Sequence, residues 1–311
     1  MGIENQDVSM ADKILMRKKT RSDMLKVKML KGMWLAMIIL AASCGKSGSD
    51  GSEEPEKPVE ETLKTIKAGQ TIKVMTYNIH HANPPAQANV IDMAAIAAVI
   101  NAEKPDFVAL QEVDKNTKRS GVSLNQAQDL ATRTKMTMFF SRSIDYDGGE
   151  YGVAVLSRYE ITDKTRYALP LAQGSNGELR SVAMISVATE GGTGKFYFAS
   201  THLEVSDNAS RLAQVNELLR INSGIQSPFV LAGDFNAVPG SESITTLQQG
   251  LTAGCISGCP LTSPAVSPAR TIDYIFLNQH ASSAFSVQSY RTASEALASD
   301  HRAVVAELKF K

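Results

Sequence analysis

Short apolar runs that stop at a polar side chain recur along this chain. Ile72 to Ile79 carries Asn78 near its end and runs into His80 and His81. Phe107-Val108-Ala109-Leu110 ends in Gln111-Glu112, and Phe196 to Ser200 leads into Thr201-His202-Leu203. Pro228 to Ala232 halts at Gly233, with Asp234 and Asn236 directly after it. Ile272 to Phe276 holds Asp273, and Ala303 to Leu308 follows Ser299-Asp300-His301. Runs of this length, together with Tyr151 to Arg158 and Ser181 to Val187, read as buried strands. Between them lie helical patterns. Val90 to Ile100 sets Ile91, Ala95, Ala98 and Val99 on one face before Pro105. Ser123 is placed to cap a helix reaching about Thr134. Arg211 to about Ile221 has Leu212, Val215, Leu218 and Leu219 as its apolar stripe, and Ser241 to Gln249 forms a further helix. No fixed-period repeat interrupts this alternation. Residues 71–311 therefore read as one α/β domain in which strands dominate.

The first seventy residues follow a different pattern. Lys26, Lys28 and Lys31 precede the apolar run from Met33 to Ala42, too short to span a bilayer. A basic region, an apolar region and the small residues Ala41-Ala42-Ser43 match a secretory signal over residues 1–43. Met24 or Met29 is a better start for such a signal than Met1, which makes the upstream part an over-extended reading frame. Cys44 directly after the small residues resembles a bacterial lipobox, the alternative being an ordinary signal with a chance cysteine. In the lipobox reading Cys44 is acylated and exported protein is held on a membrane, on the periplasmic face or at the cell surface. Residues 44–70, with Gly-Ser pairs and Glu53-Glu54-Pro55-Glu56-Lys57-Pro58, then form a flexible tether.

Charge narrows the choice of partner. Lys+Arg and Asp+Glu balance at 32 each, but residues 1–43 hold 8 basic and 4 acidic side chains, which leaves 24 against 28 beyond them. A mildly acidic body without a basic stripe argues against affinity built on neutralising many phosphates. Three cysteines are too few for a disulfide framework. Cys255 and Cys259 lie four apart in a Ser- and Pro-rich loop, where an exported setting favours a small disulfide over two reduced thiols.

The polar residues at the strand ends are the candidate chemistry. Each has an ordinary structural use: Asn78 in a turn, Glu112 solvated, His202 in the core, Asp300-His301 in a surface loop. Asp273 inside an apolar strand is costly unless it is paired. Taken together they repeat one event at one edge of a sheet, where rigid scaffolds present chemistry. Glu112 with Asn78 or Asp300 gives hard oxygen ligands of the kind that suit Mg²⁺.

Six segments carry a resemblance. Thr76-Tyr77-Asn78-Ile79, Leu110-Gln111-Glu112-Val113, Thr201-His202-Leu203, Gly233-Asp234-Phe235-Asn236, Ile272-Asp273-Tyr274-Ile275 and Ser299-Asp300-His301 occur in this order. The chain resembles the endonuclease/exonuclease/phosphatase superfamily, the pancreatic deoxyribonuclease-like group. The resemblance implies a four-layer α/β sandwich, two mixed β-sheets packed face to face with helices outside. It also implies Mg²⁺, or Mn²⁺, and hydrolysis of a phosphate ester by in-line attack of water. Carried onto this sequence, it makes Glu112 the principal metal ligand with Asn78 beside it, and Asp300 a direct or water-mediated ligand. Asp234 would align or deprotonate the water, and Asn236 would hold a phosphoryl oxygen. Asp273 would orient His301 against the phosphoryl group, and His202 would contact phosphate or assist the leaving group. Arg180 either reaches the site to bind phosphate or is a surface arginine, and Tyr151 either lines the cleft or packs.

The ester is left open by these residues. Glu112 is followed by Val113-Asp114, whereas abasic-site endonucleases usually have a lysine two places after the glutamate. The expectation is a monomeric, exported, membrane-anchored phosphoesterase, with phosphodiesters ahead of monoesters and lipid head groups, nucleic acid or small diesters as substrates. The alternatives are a secreted or surface endonuclease and a catalytically inactive binding module. The last requires the loss of a site residue, and none is missing.

Overall fold

The computed structural model describes residues 63–190, 194–255 and 257–311. The signal sequence, Cys44 and the first part of the tether lie outside the described residues. Thirteen strands and five α-helices are numbered here in chain order. The strands are β1 (Thr65–Ile66), β2 (Thr71–Asn78), β3 (Phe107–Lys115), β4 (Thr137–Tyr146), β5 (Gly149–Ser157), β6 (Asp163–Leu169) and β7 (Arg180–Thr189). They continue with β8 (Lys195–His202), β9 (Phe229–Asp234), β10 (Thr252–Ala253), β11 (Asp273–Leu277), β12 (Phe285–Thr292) and β13 (Val304–Phe310). The helices are α1 (Met93–Glu103), α2 (Gln126–Thr134), α3 (Asn208–Ser223), α4 (Glu242–Leu247) and α5 (Gln279–Ala284).

Two mixed sheets result. One runs β1-β7-β8-β9-β11-β10 with β6 also paired to β7, and the other β12-β13-β2-β3-β5-β4. β2 and β3 are parallel, as are β8 and β9, and β1 and β7, while the remaining pairs are antiparallel. The period-2 alternation of each strand assigns its residues to a layer. Ile72 and Val74 of β2 and Phe107 and Ala109 of β3 face Ile185, Phe196, Phe198 and Val230 of the other sheet in a shared core. Met75 and Tyr77 point the other way, onto Ile96 and Ile100 of α1 and Leu130 of α2. Leu231, Tyr274 and Phe276 likewise meet Val215 and Leu218 of α3 and Leu247 of α4. The architecture is the expected four-layer α/β sandwich.

The helices begin where a side chain can cap them. Asp92, Asn125, Asp207 and Ser241 each accept a hydrogen bond from the first turn. The cap of α2 is thus Asn125, two residues after the expected Ser123, and α1 starts at Met93 rather than Val90 because Asp92 holds its N-terminus. The folded body also begins before Thr71. Thr65 and Ile66 pair with Ala188 and Thr189 of β7, Ile66 is fully buried, and Leu63 bridges to Tyr159. Residues 63–70 therefore belong to the body and not to the tether. Among the described residues, no helix is long and apolar enough to cross a membrane.

Candidate active site

At one end of the sandwich the inward-facing positions change from apolar to polar. β2 runs Ile72, Val74, Thr76, Asn78, and β3 runs Phe107, Ala109, Gln111. β8 runs Phe196, Phe198, Ser200, His202, while β9 runs Val230, Ala232, Asp234. Asp273 opens antiparallel β11 directly opposite Asp234, and His202 pairs with Asp234 in the parallel β8–β9 register. Thr76 Oγ1 donates to Gln111 Oε1 at 3.2 Å, Gln111 Nε2 to Ser200 Oγ at 3.0 Å, and Ser200 Oγ to the Leu110 carbonyl at 2.9 Å. This layer satisfies its own hydrogen bonds and closes the apolar core beneath the site. Gly233 makes the approach of β8 possible, because a Cβ there would lie 2.1 Å from the Thr201 carbonyl oxygen.

Glu112 reaches the site by a different route. Simple alternation in β3 would turn it away from Gln111, toward the helices. Instead β3 slips register against β5 between Leu110 and Val113, and Glu112 adopts φ 57°. Such a bulge re-aims a side chain. Asn236 (φ 48°), His80 (φ 47°) and His81 (φ 43°) share this left-handed backbone. Non-glycine residues in that region cost of order 1–3 kcal/mol each and cluster where function over-determines them.

Asn78 ties the two sheets together. Its Nδ2 donates to Glu112 Oε1 at 2.9 Å and to Asp234 Oδ2 at 3.1 Å, while its Oδ1 accepts the His80 backbone N–H at 3.1 Å. The backbone N–H fixes which end of the amide is oxygen. Asn78 therefore presents N–H groups to both carboxylates and acts as a strut between them, while its Oδ1 keeps a second lone pair beyond the one the His80 N–H uses. The backbone carbonyl of Asn78 in turn accepts from Ser299 Oγ at 2.7 Å, which anchors the loop before Asp300-His301.

Around Asp234 the candidate residues gather closely. Asp234 Oδ1 accepts the Asn236 backbone N–H at 2.9 Å, and Oδ2 lies 3.7 Å from His202 Nε2 and 3.8 Å from His301 Nε2. His301 Nδ1 lies 2.9 and 3.1 Å from the two oxygens of Asp273. Burial pushes the Asp234 carboxyl up, the neighbouring Asp273 charge adds to this, and the group titrates at about 7. His301 moves the other way against its surroundings. Burial alone would lower it, but the charge and hydrogen bond of Asp273, with Asp234 and Asp300, raise it to about 10. The ring is thus an imidazolium at neutral pH. His202 is held well below its ordinary value, by burial first and then by the Arg180 and His301 charges. Arg180 Nη1 is 3.3 Å from its Nδ1 and Asn236 Nδ2 3.0 Å from its Nε2. Both neighbours offer N–H groups, and the neutral ring accepts one of them, at whichever nitrogen lacks the proton.

Arg180 is no surface residue: it is 5% exposed, 2.8 Å from Glu178 Oε1 and 3.8 Å from Glu204 Oε2. It sits behind His202, 3.3 Å from its Nδ1, and its charge acts on the Tyr151 hydroxyl. Tyr151 is buried, and its hydroxyl is pushed up by burial and then by the Glu112 charge, which sets it against the site. Asp300 is half-buried, with its backbone carbonyl bonded to Ala265 N–H, and its charge acts on both His81 and His301. Cys255 and Cys259 are joined in a disulfide beside the Val238–Leu261 rim.

Among the described residues, two donor groups are close enough to share an ion: His80, His81 and Glu112, and Asp234, Asp273 and His301. The second is already closed by the Asp273–His301 pair. The first is open, and the Nδ1 of His81 is buried with no hydrogen-bond partner. Burial, Arg119 and His80 lower His81 to about 4, so its ring is neutral and has a lone pair to offer. A carboxylate with two imidazoles fits a divalent cation. His80 and His81 follow Asn78 with only Ile79 between, and that closeness was the signal for them. Asp300 belongs to neither group.

A model of the Endonuclease/Exonuclease/phosphatase family matches residues 75–301, more than half of the chain and every site residue from Asn78 to His301. The chain belongs to the endonuclease/exonuclease/phosphatase family. Members of this family are divalent-metal-dependent hydrolases of phosphate esters, and the chain is an enzyme of that class. No curated protein matches the chain. Among solved structures it is similar to an endonuclease/exonuclease/phosphatase from Beutenbergia cavernae, at 26% identity over 78% of this chain and 72% of that one, TM-score 0.60. A family protein from Bacteroides vulgatus aligns at 21% identity over 78% and 100% of the two chains, TM-score 0.64. A mannosyl-6-phosphatase of Bacteroides thetaiotaomicron aligns at 19% identity over 77% and 100%, TM-score 0.60. The last two likenesses are of fold alone.

Proposed function

We propose that this family member is an exported, membrane-anchored phosphoesterase that uses Mg²⁺, or Mn²⁺, and favours phosphodiesters. The observation that carries the reading is the Asn78 strut. It binds Glu112 and Asp234 at 2.9 and 3.1 Å and so couples the metal side of the cleft to the groups that handle water and phosphate. Glu112 would hold the divalent ion, with Asp300 as the further carboxylate that the resemblance implies, and the ion would supply positive charge against the phosphoryl oxygens. Asp234 takes up a proton from the attacking water, and a value of about 7 matches a base to neutral pH. The His301 imidazolium, oriented by Asp273, donates to a phosphoryl oxygen, and Asn236 donates to another. Neutral His202, braced by Arg180, serves the phosphate or the leaving oxygen. Tyr151 closes the Glu112 side of the cleft.

The acidic charge of residues 44–311 favours a small or lipid-derived ester over a long nucleic acid. Acylation of Cys44 accords with this, since it would keep the enzyme near lipid head groups. Hydrolysis of a nitrophenyl phosphodiester and of the matching monoester, with Mg²⁺ and with chelator, tests the chemistry. Faster diester turnover that chelator abolishes supports the reading. Preference for the monoester would move the chain toward the reaction named for its Bacteroides thetaiotaomicron fold neighbour. Background rates in both would leave a binding module. Palmitate labelling of the full chain, lost in Cys44→Ala, tests the anchor, and unlabelled wild type would refute it.

A further inference from the structure

We infer that His80 and His81, with Glu112, form a nitrogen-bearing metal position that selects a borderline divalent ion such as Zn²⁺ or Co²⁺ over Mg²⁺. The inference rests on the phosphoesterase reading only in that it shares Glu112. An imidazole nitrogen of each histidine and a carboxylate oxygen of Glu112 lie within 4.8 Å of one another. Ligands about 2.0–2.2 Å from an ion stand no more than about 4.4 Å apart, so small side-chain rotations bring all three into range.

The surroundings prepare the histidines for this. His80 Nδ1 lies 2.8 Å from the Asn83 carbonyl oxygen. A carbonyl only accepts, so Nδ1 carries the proton and Nε2 keeps a free lone pair, the arrangement that orients metal-bound imidazoles. His81 packs edge-on against His80 with ring centroids 4.6 Å apart, and its buried Nδ1 has no hydrogen-bond partner. Glu112 is fixed from its other side by Asn78. The positive charge closest in effect to His81, Arg119, is spent on Asp114, which it meets through Nε at 2.7 Å and Nη2 at 2.8 Å. Two imidazoles and one carboxylate are the donor types of borderline ions, whereas Mg²⁺ takes oxygen. Open positions remain for water and a phosphoryl oxygen, as in a catalytic rather than a closed structural site.

The test is direct ion binding without substrate. Titration calorimetry with Co²⁺ and with Mg²⁺ is run on the full chain, on His80→Ala and on His81→Ala, with circular dichroism as the check on folding. Each variant is expected to lose at least tenfold in Co²⁺ affinity with Mg²⁺ affinity unchanged. Wild-type Co²⁺ affinity in either variant overturns the inference, as does an equal loss for both ions. Should a variant fail to fold, paramagnetic shifts of the histidine ring protons in Co²⁺-loaded wild type decide. Shifted signals from two neighbouring rings support the assignment, and unshifted His80 and His81 signals overturn it. Mg²⁺-dependent hydrolysis with no histidine effect would sink this inference and leave the proposed function standing.

Discussion

Replacing Asp273 by Asn keeps the shape of the side chain and removes its charge, which separates the positioning of His301 from its protonation. His301 sits at about 10 although burial pulls it down, and Asp273 is the first of the groups that raise it. An opposite charge in contact typically raises such a group by about 1–3 units, so the variant ring should titrate at about 7–9. At pH 8.5 the wild-type ring is almost wholly protonated. A ring at about 7.5 would then be protonated in roughly one molecule in ten, a tenfold loss of the active form that deepens at higher pH. The acid limb should move as well, because the Asp273 charge helps to hold Asp234 at about 7. Both limbs of the kcat/KM profile are therefore expected to shift toward acid, with activity partly recovered near pH 6.5. Stability follows the same linkage. A histidine raised from 6.5 to about 10 contributes stability that is complete below 6.5 and lost as pH rises through 10, so wild type should weaken across that window and the variant less, over a narrower one. The measurements are nitrophenyl-diester kinetics from pH 5 to 11 and histidine ring NMR on the same samples. An alkaline limb that stays at its wild-type position, or a His301 resonance still titrating near 10, would refute the assignment of the charge to Asp273.

Three shorter predictions probe other parts of the molecule. Asp234→Asn should lower turnover on the order of 10²–10⁴-fold, as expected for a positioned proton acceptor. The same variant should be more stable than wild type above pH 7 without metal, because a carboxyl raised to about 7 stabilises fully below 3.8 and loses that contribution as pH rises through 7. Urea melts at pH 8 in chelator measure it, and equal or lower stability contradicts the burial argument. Arg180→Met should cost about 3 kcal/mol by removing the cation shared by Glu178 at 2.8 Å and buried Glu204 at 3.8 Å, read as a lower Tm that Glu204→Gln partly restores. Phe107→Ala should cost about 3–5 kcal/mol in urea. Its ring stacks on Tyr159 at 5.3 Å and contacts Phe196 and Phe198 across the sheets, so a loss below 1 kcal/mol would mean that the inter-sheet core closes without it.

What the chain's pattern reveals and what it hides have the same physical source. Strands buried on both faces, such as β2, β3, β8 and β9, read as apolar runs because every position meets a layer. β4, β6 and β12 were not legible, since their positions are largely half-buried or exposed and carry no such run. The motif residues were legible because each lies at the end of a readable strand. Their roles were less so, since a role depends on which partner arrives from elsewhere. Asn78 reads as a ligand, and the sequence does not show its second use, an amide group that two carboxylates from different sheets claim. Arg180 reads equally as a site or a surface residue until Glu204, distant in sequence, meets it in the interior. Glu112 is the sharpest case. Alternation from Phe107 and Ala109 sends Gln111 inward and Glu112 outward, yet Glu112 touches Asn78. The register slip between the Leu110–Ala154 and Val113–Gly152 pairs reverses it, and Gly152 at its edge is held to glycine by β4, where a Cβ would lie 2.1 Å from the Ser141 carbonyl oxygen. Gly152→Ala should therefore disturb the metal side of the cleft from behind, without touching any residue that contacts substrate, and appear as weaker ion binding before it appears as unfolding.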